Sequence, residues 1–367
     1  MRFSHGWQRE PKIRRLLIVG AALLATSCEP GSPVWHSAFP AFGTQIEISI
    51  AGVPETRARQ ASDRIQALFE SLHRRWHPWA DGELARFNAQ LMATGSATAD
   101  AELLDTIRQA MAYTRLSGGR FNPAVAALVR EWGFNEAAPI SAPPDPEKLL
   151  ELLAAMPGQQ QIDWLPGRLV SPAGGWAIDL GGFAKGLAVD RAIKLLREAG
   201  IENAIVNAGG DLRAMGRRNG RAWRVGIRHP RRPGVIAGID ISGDESVFTS
   251  GDYERFFEYQ GVRYHHILDP ETGYPAIGTV SLTVIAGNGA LADASATALF
   301  VAGPGEWPVL AQALGLELVM LVASDGHIEM TAAMAKRVTL ENPDEMSIVI
   351  VDESQEVCAS QLTVRCL

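Results

Sequence analysis

The chain has 367 residues, 47% of them hydrophobic and 20% charged, with three cysteines and a formal charge of −7. Its 41 acidic side chains against 34 basic ones argue against nucleic acid as a partner, yet leave room for a phosphorylated ligand carried by a local cation. The length supports a large core, in one big domain or two intimate lobes.

Residues 1–27 read as a signal peptide. Arg2, Arg9, Lys12, Arg14 and Arg15 precede an apolar run over residues 16–26, about half the ~20 residues that span a bilayer. Ala25-Thr-Ser-Cys28 resembles a bacterial lipobox, with Ala25 where leucine is more usual, so Cys28 is the expected acylation site. Cleavage by an ordinary signal peptidase is the alternative. Residues 1–27 carry five basic and one acidic side chain, so their loss takes the formal charge from −7 to about −11. Residues 28–38 then read as a lipid-anchored tether, 39–345 as the folded domain and 346–367 as a C-terminal tail. The expected location is the periplasm, anchored to the inner membrane. Cys358 and Cys366 could close a small loop there, and the absence of Cys-x-x-Cys spacing or a Cys/His cluster argues against zinc or iron–sulfur sites.

Residues 41–50 alternate apolar and polar and predict a strand. From residue 54 to about 75 the apolar stripe Ala58, Ala61, Ile65, Leu68, Phe69, Leu72 predicts a helix. A second helix is expected over 101–116, stopped by Gly118-Gly119. Phe121-Asn-Pro-Ala-Val125 leads into a short helix ending near Trp132-Gly133. A proline-rich loop over 139–146, a short helix over 145–153 and a hairpin over 162–170 follow. Residues 184–199 predict the best helix in the chain, stopped by Gly200. From residue 204 strands dominate, with hairpins turning at Gln260-Gly261 and Asp325-Gly326. A strand over 279–285 feeds Gly287-Asn-Gly289 and an apolar helix. Long helices among antiparallel hairpins indicate an α+β fold, with mixed or antiparallel sheets and packed helices in a two-lobed single domain.

Two segments carry chemistry. Asp293 and Thr297, four residues apart near the expected start of that apolar helix, share one face one turn apart. A carboxylate and a hydroxyl suit a hard cation such as Mg2+ that also takes phosphate oxygens. The competing reading makes Asp293 an N-cap. In Ala177-Ile-Asp-Leu-Gly-Gly-Phe-Ala-Lys-Gly186 a glycine pair follows an apolar strand and opens a helix, which can present N–H groups to a phosphate. The segment lacks the Gly-x-Gly-x-x-Gly order and any Gly-Lys-Ser/Thr, so neither a Rossmann nor a P-loop site is supported. Together the two segments suggest a metal–diphosphate site.

Seven segments in order, Phe42-Gly-Thr44, Phe121-Asn-Pro-Ala-Val125, Asp179-Leu-Gly-Gly-Phe-Ala-Lys-Gly186, Asn207-Ala-Gly-Gly-Asp211, Thr249-Ser-Gly-Asp-Tyr253, His266-Ile-Leu-Asp-Pro-Glu-Thr-Gly273 and Ala292-Asp-Ala-Ser-Ala-Thr297, resemble the ApbE family of FAD:protein FMN transferases. The resemblance implies cleavage of FAD, release of AMP and attachment of FMN through its phosphate to a Thr or Ser of an acceptor redox protein, with Mg2+ as the metal. It implies that Asp293 and Thr297 ligate the metal with a backbone oxygen near Gly182, and that Asp179 and Lys185 contact FAD. Phe42, Phe121, Asn122, Pro123 and Ile267 fall where the family lines its flavin or adenine pocket. Phe42 replaces a methionine found in many members, and in Trp76-His-Pro-Trp79, where many members carry a tyrosine that stacks on FAD, Trp79 is the stacking candidate.

His266 is the candidate for taking the acceptor hydroxyl's proton, alongside Asp293 as the other catalytic residue, with a structural histidine as the alternative. His265 is expected on the opposite strand face, in solvent. Asp252 and Asp211 read as turn or loop supports. Two further functions use the same residues: an Mg2+-dependent FAD pyrophosphatase giving FMN and AMP, and a non-catalytic flavin-binding lipoprotein.

Overall fold

The computed structural model describes residues 33–135 and 142–351. The expected signal peptide, Cys28, Cys358 and Cys366 lie outside the described residues.

In chain order the elements are β1 (Trp35–Ala41), β2 (Thr44–Ala51), α1 (Glu55–Trp76), α2 (Glu83–Thr94), β3 (Ser96–Thr98), α3 (Ala101–Leu116), α4 (Ala126–Glu131), α5 (Pro146–Ala155), β4 (Asp163–Leu165), β5 (Arg168–Val170) and α6 (Ala184–Glu198). Then come β6 (Asn203–Ala208), β7 (Asp211–Met215), β8 (Trp223–Arg228), β9 (Val235–Ile241), β10 (Asp244–Gly251), β11 (Phe256–Tyr259), β12 (Val262–His265) and β13 (Thr279–Ala286). The chain continues through α7 (Gly289–Ala302), α8 (Trp307–Ala313), β14 (Leu318–Ala323), β15 (Ile328–Thr331), α9 (Ala332–Arg337), β16 (Val338–Leu340) and β17 (Ile348–Val351).

The main sheet has nine strands in the order β1-β2-β6-β7-β10-β13-β14-β15-β17. Its neighbours are antiparallel except β15 and β17, which run parallel. Strands β1 and β17 carry the sheet past residues 39 and 345 on either side. Because side chains alternate along a strand, each strand serves both faces. Ile46, Ile48, Ile50, Ala204 and Val206 join the helices α1, α3, α6 and α7 in one core. Leu212, Ala214, Val247, Ile285 and Met320 join a second core with β8 and β9. Covered on both faces, β13 is buried along all but its last residue. A third cluster, Leu128, Val129, Trp132, Phe134, Leu149 and Leu268, ties α4 and α5 to the β11–β12 hairpin and forms the smaller lobe.

Three sequence expectations change. The single strand over 41–50 is two strands, because Phe42 and Gly43 both take positive φ (50° and 71°) in a two-residue hairpin turn. Phe42 tolerates this conformation while its ring stacks on Trp76 at 6.2 Å and its N–H donates to His73 Nδ1 at 3.3 Å. Helices α2, α8 and α9 have no counterpart among the predicted elements. His265 is buried rather than solvated: β12 ends there, its Nε2 bonds to the Ala276 carbonyl at 2.9 Å, and its ring meets Phe300 edge-on.

Candidate active site

A cavity of about 500 Å³ opens between the two lobes' clusters. It is lined by Phe42, Trp79, Phe121, Asn122, Asp179, Gly182, Lys185, His266, Ile267, Asp293 and Thr297, so the structure gathers nearly every residue singled out from the sequence. Pro123 is not on the wall. Its carbonyl accepts the Asp179 N–H at 2.7 Å from behind, while Val125 bridges Ala177, which fixes the Phe121 turn against the glycine segment. A second cavity of about 130 Å³, beside residues 229–232, shares no lining residue with the first.

The N-cap reading of Asp293 fails, because α7 begins a turn earlier. Asn288 is the cap, its Oδ1 accepting the Leu291 N–H at 2.8 Å. Asp293 is therefore free to face α6, where its Oδ2 accepts the Gly186 N–H at 2.9 Å. Its other oxygen has no hydrogen-bond partner among the described residues. Thr297, one turn on, has its hydroxyl 3.4 Å from Ser250 Oγ. A Cβ placed on Gly182 would lie 2.8 Å from Thr297 Oγ1, so the Gly182 backbone abuts that hydroxyl. Within the glycine pair, the Gly181 N–H is already bound by Asp179 Oδ1 at 2.7 Å, which leaves Gly182 as the one open to a ligand.

The charges form a tight group. Asp211 is buried, accepts the Thr249 N–H at 2.9 Å and pairs with Lys185. Burial pushes the Asp293 carboxyl up to about 7, with Lys185 pulling it down and Asp211 adding to the rise. Burial works against the Lys185 charge, but Asp211 and Asp293 outweigh it and hold the ammonium above its ordinary range. A buried carboxylate with an open oxygen, a hydroxyl one turn away and a glycine backbone beside it form a hard-oxygen set fit for a small divalent cation. Among the described residues no group of three or more His, Cys, Asp or Glu side chains could cage a metal by itself. Such a cation would need oxygens from a ligand as well.

His266 lies just past β12 and lines the cavity. Burial, then Arg255 and His265, hold its pKa well below the ordinary value, so the ring is neutral near pH 7. Its Nδ1 is buried without a partner. Part of the cavity lining is aromatic. Phe42, His73 and Trp76 form a ring cluster, His77 bonds the Trp79 and Ala80 N–H groups through Nδ1, and Trp79 lies alongside. The sequence reading missed His73, His77, Arg255, Glu254 and Ser250 among the residues lining the cavity. Ser250 lay inside a quoted motif and His77 inside Trp76-His-Pro-Trp79; the others come from a helix end and a strand flank that carry no local signal.

Residues 42–320 match the ApbE family, a stretch that contains every residue lining the cavity. The chain belongs to the ApbE family. It is 37% identical over 343 residues to an FAD:protein FMN transferase of Rhodobacter capsulatus, covering 93% of this chain and 65% of that relative's length. A Vibrio cholerae FAD:protein FMN transferase is 32% identical over 318 residues, with 84% of this chain and 94% of that protein covered. The crystal structure of the ApbE protein of Thermotoga maritima superposes with a TM-score of 0.76 at 32% identity, over 83% of this chain and 99% of that one. The ApbE likeness thus spans both lobes and the site between them.

Proposed function

We propose that this ApbE-family protein cleaves FAD and attaches FMN, through its phosphate, to a Thr or Ser of an acceptor protein, releasing AMP. One observation carries the reading: the open carboxylate oxygen of Asp293, the Thr297 hydroxyl and the Gly182 backbone converge on a cavity whose volume suits a nucleotide and whose lining includes Phe42, Trp76, Trp79 and Phe121.

In the reaction the acceptor hydroxyl oxygen bonds to the FMN phosphorus, the P–O bond toward the AMP phosphate breaks, and AMP leaves with the bridging oxygen. Such transfers need positioning and charge stabilisation more than covalent help. Asp293, Thr297 and the Gly182 backbone would hold Mg2+, which when bound neutralises charge on the diphosphate. Lys185, fixed by Asp211, adds a permanent positive charge on the same wall. His266, neutral and at the cavity surface, takes the hydroxyl proton. Asp179 borders the same space and, with Phe42, Trp79, Phe121, Asn122 and Ile267, encloses the dinucleotide.

The same proposal places the protein outside the cytoplasm, held at the membrane by acylation of Cys28, with an exported redox protein as acceptor. The test is incubation with FAD, Mg2+ and a Thr-bearing acceptor domain. Flavin fluorescence that survives on the denatured acceptor band, with AMP released in equal amount, supports transfer. Free FMN alone points to the pyrophosphatase, and unchanged FAD sinks both enzymatic readings.

A further inference from the structure

Helix α2 has a polar residue in the middle of its apolar stripe. Its buried residues are Leu84, Phe87, Asn88 and Leu91, and Asn88 is only 4% exposed. Both ends of its amide are used on one residue 90 positions away: Nδ2 donates to the Ile178 carbonyl and Oδ1 accepts the Ile178 N–H, each at 2.8 Å. Ile178 belongs to no strand, so this side chain stands in for the neighbouring strand that would otherwise bind its backbone. The next residue opens the segment 179–185, which sends Asp179, Gly182 and Lys185 to the cavity.

We propose that Asn88 is a positioning residue for this ligand-facing segment, setting the place of Gly182 and Lys185 by clamping both backbone groups of Ile178. The inference rests on the cavity being the FAD site. A pure packing role would be met by leucine, which fills the stripe of α2 as well. A clamp needs one donor and one acceptor at fixed places, and losing either leaves a buried backbone group of Ile178 unpaired. Its other backbone anchors are the Asp179 N–H on the Pro123 carbonyl and the bridge of Ala177 to Val125, so losing the clamp lets the segment shift on the α2 side, and small misplacements at a reacting centre are costly in rate.

Asn88→Asp separates the two roles. The introduced carboxyl has the amide's shape but, when ionised, no proton to give the Ile178 carbonyl. When protonated it regains a donor and keeps an acceptor. Burial raises the pKa of such a group, bringing the exchange into a workable pH range. We expect kcat/KM for FAD, relative to wild type at the same pH, to be about 10- to 100-fold lower at pH 8 and to recover most of that loss by pH 6. FAD affinity in chelator, read by flavin fluorescence, should move with pH in the same way, with circular dichroism confirming the fold at each pH. Asn88→Leu should be impaired at every pH without recovery. A variant-to-wild-type ratio that stays flat from pH 6 to 8, or wild-type kinetics for Asn88→Leu, overturns the proposal. If the wild-type protein binds FAD but forms no product, the proposed function fails, and the affinity ratio still decides the role of Asn88.

Discussion

Gly186 and Asp293 meet where α6 crosses α7. The glycine N–H donates to the carboxylate at 2.9 Å, and a Cβ on Gly186 would stand 2.8 Å from the Cβ of Asp293 and 2.1 Å from the Gly289 carbonyl oxygen. Gly289 returns the constraint, since its own Cβ would lie 2.5 Å from the Gly186 carbonyl oxygen. The two helices touch backbone to backbone, and one added methyl must force them apart. Gly186→Ala should therefore cost about 1–3 kcal/mol in stability and, by moving Asp293, about 100-fold in kcat/KM. Thermal unfolding and steady-state FAD turnover check both halves, and an alanine variant with normal turnover would show the contact to be slack.

Asp293→Asn keeps an oxygen to accept the Gly186 N–H, so the fold should survive. What it loses is the negative charge at the open position. Wild-type protein should gain thermal stability with added Mg2+ by mass action, and the variant should not. AMP release should fall at least 100-fold, in line with the loss of a group that stabilises developing charge. A variant that still responds to Mg2+ would move the cation elsewhere.

His266→Asn should leave FAD binding near normal and slow transfer by about 10²–10⁴-fold, the usual worth of a positioned base. Because burial, Arg255 and His265 already hold this imidazole well below its ordinary pKa, it stays in its accepting form across neutral pH. The rate should therefore show no acid limb from His266 between pH 7 and 9. Single-turnover kinetics with acceptor present distinguish a lost base from lost binding.

His327 sits at the β14–β15 turn between Asp325 Oδ1 at 2.5 Å and Glu329 Oε1 at 2.9 Å. Hydrogen bonds to Glu329 and then Asp325 raise its pKa above 6.5. A raised folded-state value means that its contribution is fully present below the unfolded pKa and is lost as pH rises through the folded one. His327→Gln should thus lower the unfolding midpoint more at pH 6 than at pH 8.5. Equal effects at both pH values would show that the ring acts by packing alone.

Much of this arrangement was legible in the sequence where one physical signal dominated. Helices α1, α3 and α6 follow their apolar periodicity, and the Gln260-Gly261 turn follows the positive φ of both residues (51° and 78°). That Asp293 and Thr297 share one helix face was legible because a four-residue spacing on a helix survives any error in where that helix starts. The helix does start a turn earlier than the sequence suggests, because Asn288 caps it by accepting the Leu291 N–H. Helix α2 hid because its N-cap, Gly82, makes no side-chain cap hydrogen bond and because Asn88 interrupts its apolar stripe for a purpose visible only across 90 residues. The turn at Phe42 hid because phenylalanine is not a turn residue, and its left-handed backbone is secured by long-range partners, Trp76 and His73. The inward rotation of His265 depends on where β12 stops, which alternation alone does not specify.

The hairpin tip at Phe42 and the helix bearing Thr297 stand on the walls of one cavity although far apart in the chain, with Phe42 made before α7. A nascent polypeptide that has not yet released α7 can display the aromatic surface but has no place to grip a dinucleotide's charged middle. Tight uptake of the nucleotide is accordingly a readout of finished folding, and proteolytic clipping anywhere between these two landmarks should register first as weakened retention of the ligand.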